Sequence, residues 1–157
     1  FHACSAGAVT LSTVSATLTG LALSNPFGSS KKLVVRKVRF APSTVVGAAS
    51  VVGLAISPAV SQTAVVHTTP MVIHNAISKG NVSSSGAGRA DAAATLASTP
   101  LWLRPMASVV ATSTDPTNFN DNVNGDIIIA PGGCLSLSYL TTAAVGIAAV
   151  TWVEVNE

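Results

Sequence analysis

The sequence predicts an all-β, single-domain antiparallel β-sandwich of jelly-roll-like topology, and three observations predict it. Val, Thr, Ile and Ala fall in short runs cut by Gly, Pro, Asn and Ser clusters. No stretch of Leu, Glu, Lys and Arg recurs at helical spacing. Eight or nine such runs crowd into 157 residues, a length that one domain fills while still burying a real core.

Taken in order, the candidate strands are residues 9–14, 16–23, 33–40, 50–57, 71–77, 107–112, 126–130, 133–142 and 146–155. The cleanest alternators set Val52, Leu54 and Ile56 inward against Val51, Gly53 and Ala55, and Met71, Ile73 and Ile77 inward against His74 and Ala76. Breakers separate them: SNPFGSSKK at 24–32, SPAVSQT at 57–63, SKGNVSSSGAGRAD at 78–91 and STDPTNFNDNVNG at 113–125. The last holds two turn formers, Asp115-Pro116 and Asn124-Gly125. A helical turn is expected only at Ala90–Ser98, where alanine dominates. TPLWLRPM at 99–106, fenced by prolines, suits a sheet edge or a neighbouring subunit, because Pro cannot donate to a central ladder. The domain is read as residues 1–157, with 1–15 a candidate N-terminal arm.

Two late apolar runs ask for cover. In the first, Leu135, Leu137 and Tyr139 face one way and Cys134, Ser136 and Ser138 the other, which predicts one buried face. In the second, Ile147, Ala149, Val153 and Val155 oppose Ala148, Val150 and Trp152. Both faces are apolar, so a second sheet or a second copy is expected outside it.

Composition narrows the function classes. The chain is 48% hydrophobic but only 9% charged, against a usual charged share of about 25%. Low charge leaves little repulsion between copies. A net charge of +2 is too small for a nucleic-acid binder, although Lys31, Lys32, Arg36, Lys37 and Arg39 cluster. That cluster reads as a solvated edge guarded by cations or as a contact for an acidic protein surface. Pro42, Pro58 and Pro70 cut the uncharged stretch 40–78 into pieces shorter than the roughly 20 residues of a spanning helix, so no membrane segment is expected. No basic segment precedes an apolar one, so no retained signal peptide is expected either.

Chemistry finds few parts. Cys4 and Cys134 form no CxxC pair and are expected to be free and buried, with a disulfide between them the alternative. Asp121 and Asp126 could offer oxygens to calcium but lack the EF-hand spacing. His67 and His74 share no ligand spacing with a third residue. No nucleophile motif, phosphate loop or triad is legible. The chain is therefore expected not to be an enzyme, and no cofactor is expected.

TGLALSNPFGSSKKLVVRKVRF at 19–40, VVHTTP at 65–70 and IIIAPGGCLSLSYLTTAAVGIAAVTWVEV at 127–155 together resemble small structural proteins of tailed bacteriophage virions. The resemblance covers most of the chain through its strand and turn framework rather than through an active site. It implies a capsid decoration or cement subunit, a homotrimer bound to the major capsid protein on the virion surface. On that reading Val150, Trp152, Trp102, Leu103, Arg36, Lys37 and Arg39 are the expected interface residues. Two alternatives stand beside it: a host-surface or glycan-binding head of a fibre or spike, and a secreted filament subunit that donates its N-terminal segment Phe1–Leu23 to a neighbour.

Overall fold

The computed structural model describes residues 1–44, 47–57, 66–75, 86–109, 118–141 and 144–157. Thirteen strands run through them: β1 (His2–Cys4), β2 (Val9–Leu11), β3 (Thr17–Ser24), β4 (Lys31–Pro42), β5 (Ser50–Ser57), β6 (Val66–Pro70), β7 (Ile73–His74), β8 (Arg89–Thr95), β9 (Leu101–Val109), β10 (Phe119–Asp121), β11 (Ile127–Ile129), β12 (Cys134–Tyr139) and β13 (Ala144–Asn156). The described residues hold no helix. The turn formers Asp115-Pro116, the inward Ile77 and most of the breakers at 57–63 and 78–91 lie outside the described residues.

The strands form two antiparallel sheets. The first runs β10-β4-β13-β1-β7, with β11 also on β4 and β2 also on β13; the second runs β6-β8-β3-β12-β5-β9. Within these, β1-β13-β4-β10 faces β3-β12-β5-β9, which is the strand order of a jelly roll. The segment β6–β8 is an insertion between β5 and β9 that widens both sheets on the same side.

The core fills the space between the sheets. Leu33, Val35, Val38 and Phe40 of β4 and Ala148, Val150 and Trp152 of β13 meet Leu21 and Leu23 of β3, Val52 and Leu54 of β5, and Leu135, Leu137 and Tyr139 of β12. Phe40 stacks on Phe119 at 6.4 Å and meets Tyr139 edge-on at 6.2 Å, arrangements that aromatic quadrupoles favour.

Strand β4 changes phase in its middle. Leu33 and Val35 point inward, then Val38 and Phe40 do, because Lys37 pairs Thr151 while Val35 pairs Trp152, so Arg36 has no partner opposite it. This bulge keeps both halves of the strand apolar toward the core. The turn Asn124-Gly125, with positive φ at both residues as expected of Asn-Gly, sits beside it. The Asn124 amide donates to the Arg36 carbonyl at 3.0 Å and the Gly125 amide to that of Val35 at 2.9 Å.

Four expectations are corrected. Residues 90–98 are not helical: β8 lies between β6 and β3, and Ala90 and Ala94 are buried in the sheet, so cross-strand packing overrides a weak helical propensity. All six residues of β12 are buried. Cys134 packs with Leu18, Ala22, Ala94 and Leu96 in a second apolar cluster, so strand β12 is covered on both faces rather than one. Ile56 is only half-buried beside the edge strand. Both cysteines are free, with Cys134 buried but Cys4 only half-buried. They face outward from opposite sheets, which rules out a bridge between them.

Candidate functional site

The expected interface residues separate into three groups. Val150 and Trp152 do not lie on an outer face; they are 1% and 0% exposed in the core. Strand β13 turns its even-numbered residues inward, and Ile147, Val153 and Val155 are the ones in solvent. Period-two reading paired these residues correctly but could not tell inside from outside, since both sets are apolar. Trp152 stacks on Phe1 at 5.7 Å, and its indole N–H donates to Glu154 Oε1 at 3.2 Å. The same carboxylate accepts the amides of Ala87 and Gly88, each at 2.9 Å, fastening the glycine-rich stretch to the end of β13.

Trp102 and Leu103 lie on β9, the outermost strand of the second sheet, as the proline-fenced segment suggested. Leu101, Trp102 and Leu103 are 63%, 40% and 43% exposed. The pairing of β9 with β5 is broken by two register shifts, one at Val52/Gly53 and one at Leu54/Ala55, and Pro105 removes a donor between them. Gly53 makes the close approach possible: a Cβ there would lie 2.7 Å from the Arg104 carbonyl oxygen and 2.9 Å from the Trp102 ring. On one side of Leu103 a groove of about 240 Å³ is lined by Val51, Trp102, Pro105, Leu140 and the stem of Arg104. On the other side lies a depression of about 290 Å³ against Ile56, Asp126, Ile127 and Ile128. Leu140 and Ile128 are about half exposed, so the apolar strip is continuous across the strand edge.

Arg104 closes the open side of the sandwich beside this strip. Its Nε donates to Asp121 Oδ2 at 2.9 Å, and its Nη2 donates to the other carboxylate oxygen, a forked geometry that joins β9 to β10. The hydrogen bond to Asp121 holds the guanidinium above its usual pKa, and the two charges of the pair offset each other beside the strip. Asp121 is thus occupied by an ion pair rather than poised for calcium.

Arg36, Lys37 and Arg39 lie on β4, and Arg36 and Arg39 are exposed. Lys37 and Arg39 share the outer face of the first sheet, opposite Thr151 and Ala149 of β13. None of the three basic residues enters an ion pair among the described residues. Across the sheet the Lys37 row continues through Thr151 to His2 and His74. Burial, then the charges of His74 and Arg39, push the His2 imidazole below its ordinary value. Beside Lys37 and Arg39 lies a depression of about 610 Å³ lined by Asn118, Asn120, Asn122, Ile147 and Ala149. These asparagines were legible only as turn formers. Their spacing at every second residue, with Phe119 and Val123 in the core, is the signal that could have placed them on one face.

The other histidine stands apart from these surfaces. His67 Nδ1 meets Asp91 Oδ2 at 2.6 Å on the β6 edge, and Asp91 is 1% exposed, with its second oxygen buried and without a hydrogen-bond partner among the described residues. Among the described residues no three of His, Cys, Asp and Glu are grouped to hold a metal ion.

Neither a protein-family profile, nor a curated protein, nor a solved structure matches this chain.

Proposed function

We propose that the chain is a structural subunit of a virion, a capsid decoration protein that self-associates through its β9 edge, as a homotrimer, and contacts the major capsid protein. It works by packing rather than by catalysis. The observation that carries this reading is the uncharged apolar strip of Leu101, Trp102, Leu103, Leu140 and Ile128 along an open strand edge. Natural sheets guard such edges with lysine, short length or a covering loop unless a partner occupies them.

A second copy fits the strip best. The Arg104–Asp121 pair neutralises two of the charges on its flank and leaves Asp126 in the depression beside Leu103, and the whole chain is 9% charged, so little repels an identical surface. The strip also offers a ridge at Leu101 and Leu103 beside a groove between Val51 and Leu140, two unlike surfaces. A ridge seated in the next copy's groove is a head-to-tail contact, which closes into a ring when the rotation allows and favours a trimer over a twofold dimer. The virion assignment itself rests on the resemblance of residues 19–40, 65–70 and 127–155 and on the jelly-roll order, an architecture that capsid and lectin domains share with others.

Light scattering coupled to size exclusion tests the assembly. The wild-type chain is expected to run as a trimer, and Leu103→Arg, which puts a charge on the ridge without touching the core, as a folded monomer. A wild-type monomer at high concentration, or a Leu103→Arg trimer, would sink the edge assignment. Co-sedimentation of the trimer with capsids lacking decoration then tests the virion role.

A further inference from the structure

The outer face of the first sheet carries a feature that self-assembly through β9 leaves unused. Lys37 and Arg39 stand two residues apart on one face of β4, about 7 Å along the strand. Neither forms an ion pair among the described residues. The described acids are committed elsewhere or lie elsewhere: Asp91 to His67, Asp121 to Arg104, Glu154 to the amides of residues 87 and 88, Asp126 in the far depression beside Leu103, and Glu157 beside Ser30. Unneutralised cations beside a concavity are a place for an anion.

The asparagines say what kind. Asn118, Asn120 and Asn122 line the same depression, and Asn120 is the direct cross-strand neighbour of Arg39, so amide and guanidinium stand within about 5 Å at their Cβ atoms. An amide presents a donor and an acceptor together, which matches vicinal hydroxyl groups. Ile147 and Ala149 supply the apolar floor. At about 610 Å³ the depression falls within the roughly 300–1,000 Å³ of small-ligand sites.

We infer that Lys37, Arg39 and the Asn118–Asn120–Asn122 row form a binding site for an acidic saccharide. Its carboxylate or sulfate is held by the two cations and its hydroxyls by the amides. A nucleic acid fits less well, because two cations in a depression do not follow a phosphate backbone. An acidic protein surface would use the cations but has no need of three amides in a row. The site lies on a different face from the β9 strip, so it stands whether or not the chain assembles.

Calorimetric titration tests it, with a sulfated and carboxylated heparin-derived hexasaccharide, a neutral dextran-derived hexasaccharide and a poly-glutamate peptide of matched charge as probes. The wild-type protein is expected to bind only the acidic hexasaccharide with measurable affinity. Lys37→Ser with Arg39→Ser should weaken that binding at least about tenfold, since charged hydrogen bonds are lost, and Asn120→Ala should weaken it several-fold. Both variants keep the core intact, which the near-ultraviolet spectrum and melting temperature verify. No binding of the acidic hexasaccharide, or equal binding of poly-glutamate with Asn120→Ala unaffected, would overturn the saccharide site.

Discussion

Strands β13 and β9 each carry one of the two tryptophans within an apolar run, yet one run is the centre of a sheet and the other its rim. The β13 run pairs along its length with β4 on one side and with β1 and β2 on the other, so Trp152 disappears into the core. The β9 run pairs with β5 alone, across two register shifts and a proline, so Trp102 and its neighbours stay in water. The difference teaches that apolar character alone does not decide burial here. Ladder position does: a strand flanked by partners on both sides can hide one face entirely, while a strand with one broken partner leaves its hydrophobes exposed.

The largest effect should come from the buried member. Trp152→Ala removes a fully buried ring that touches Phe1 and anchors Glu154, and is expected to cost about 3–5 kcal/mol in urea unfolding. Trp102→Ala removes a ring that is already 40% exposed, so its cost should stay near 1–2 kcal/mol and its main consequence should be loss of the proposed trimer in light scattering. Equal stability losses for the two variants would collapse the contrast between core and rim.

The same contrast explains what was legible beforehand. Ser50–Ser57 was readable to the residue, and TPLWLRPM was readable as an edge, because alternation and proline are local signals. The orientation of β13 was not, since it depends on which set of residues the opposing sheet covers. The phase change at Arg36 depends on register with β13, and residues 90–98 read as helical because alanine favours helix locally while β3 and β6 hold it as a strand. The sequence alone therefore places Trp102 and Leu103 on a sheet edge, whereas the burial of Val150 and Trp152 overturns their expected place on an outer face. Arg36, Lys37 and Arg39 stood out as a cluster, but the asparagines beside them needed the pairing of β10 with β4.

Gly53→Ala probes the seam between the rim strand and its one partner. The added methyl would meet the Arg104 carbonyl at 2.7 Å and the Pro105 Cα at 3.1 Å, backbone atoms that yield only if β9 moves outward. A loss of about 1–3 kcal/mol is expected, together with altered Trp102 fluorescence. An unchanged spectrum and stability would mean that β9 rides loosely on β5 and that its exposed face is not held in a fixed shape for a partner.

Arg104→Ala should cost less, about 0.5–1 kcal/mol, because the side chain is 35% exposed although Asp121 is only 13% exposed, and solvent and salt screen such a pair. The loss is expected to shrink in high salt. A loss above that of Gly53→Ala would show that the ion pair, rather than backbone pairing, holds the rim in place.

The opposite rim of the same sheet gives the smallest effect. There β6 is held against β8, and His67 meets Asp91. Burial raises the Asp91 carboxyl above its ordinary 3.8, and the hydrogen bond and charge of His67 and the charge of Arg89 offset only part of that. The unfolded chain releases this proton near 3.8 and the folded chain at a higher pH, so the folded state binds more protons between the two values. The contribution is complete below 3.8 and is lost as pH rises through the folded value. Asp91→Asn cannot titrate, so wild-type stability measured against this variant should fall as pH rises from about 3.5 toward 6. A flat difference across that range would mean that the Asp91 carboxyl keeps its ordinary affinity for protons and that burial at the β6 rim does not disfavour its charged form.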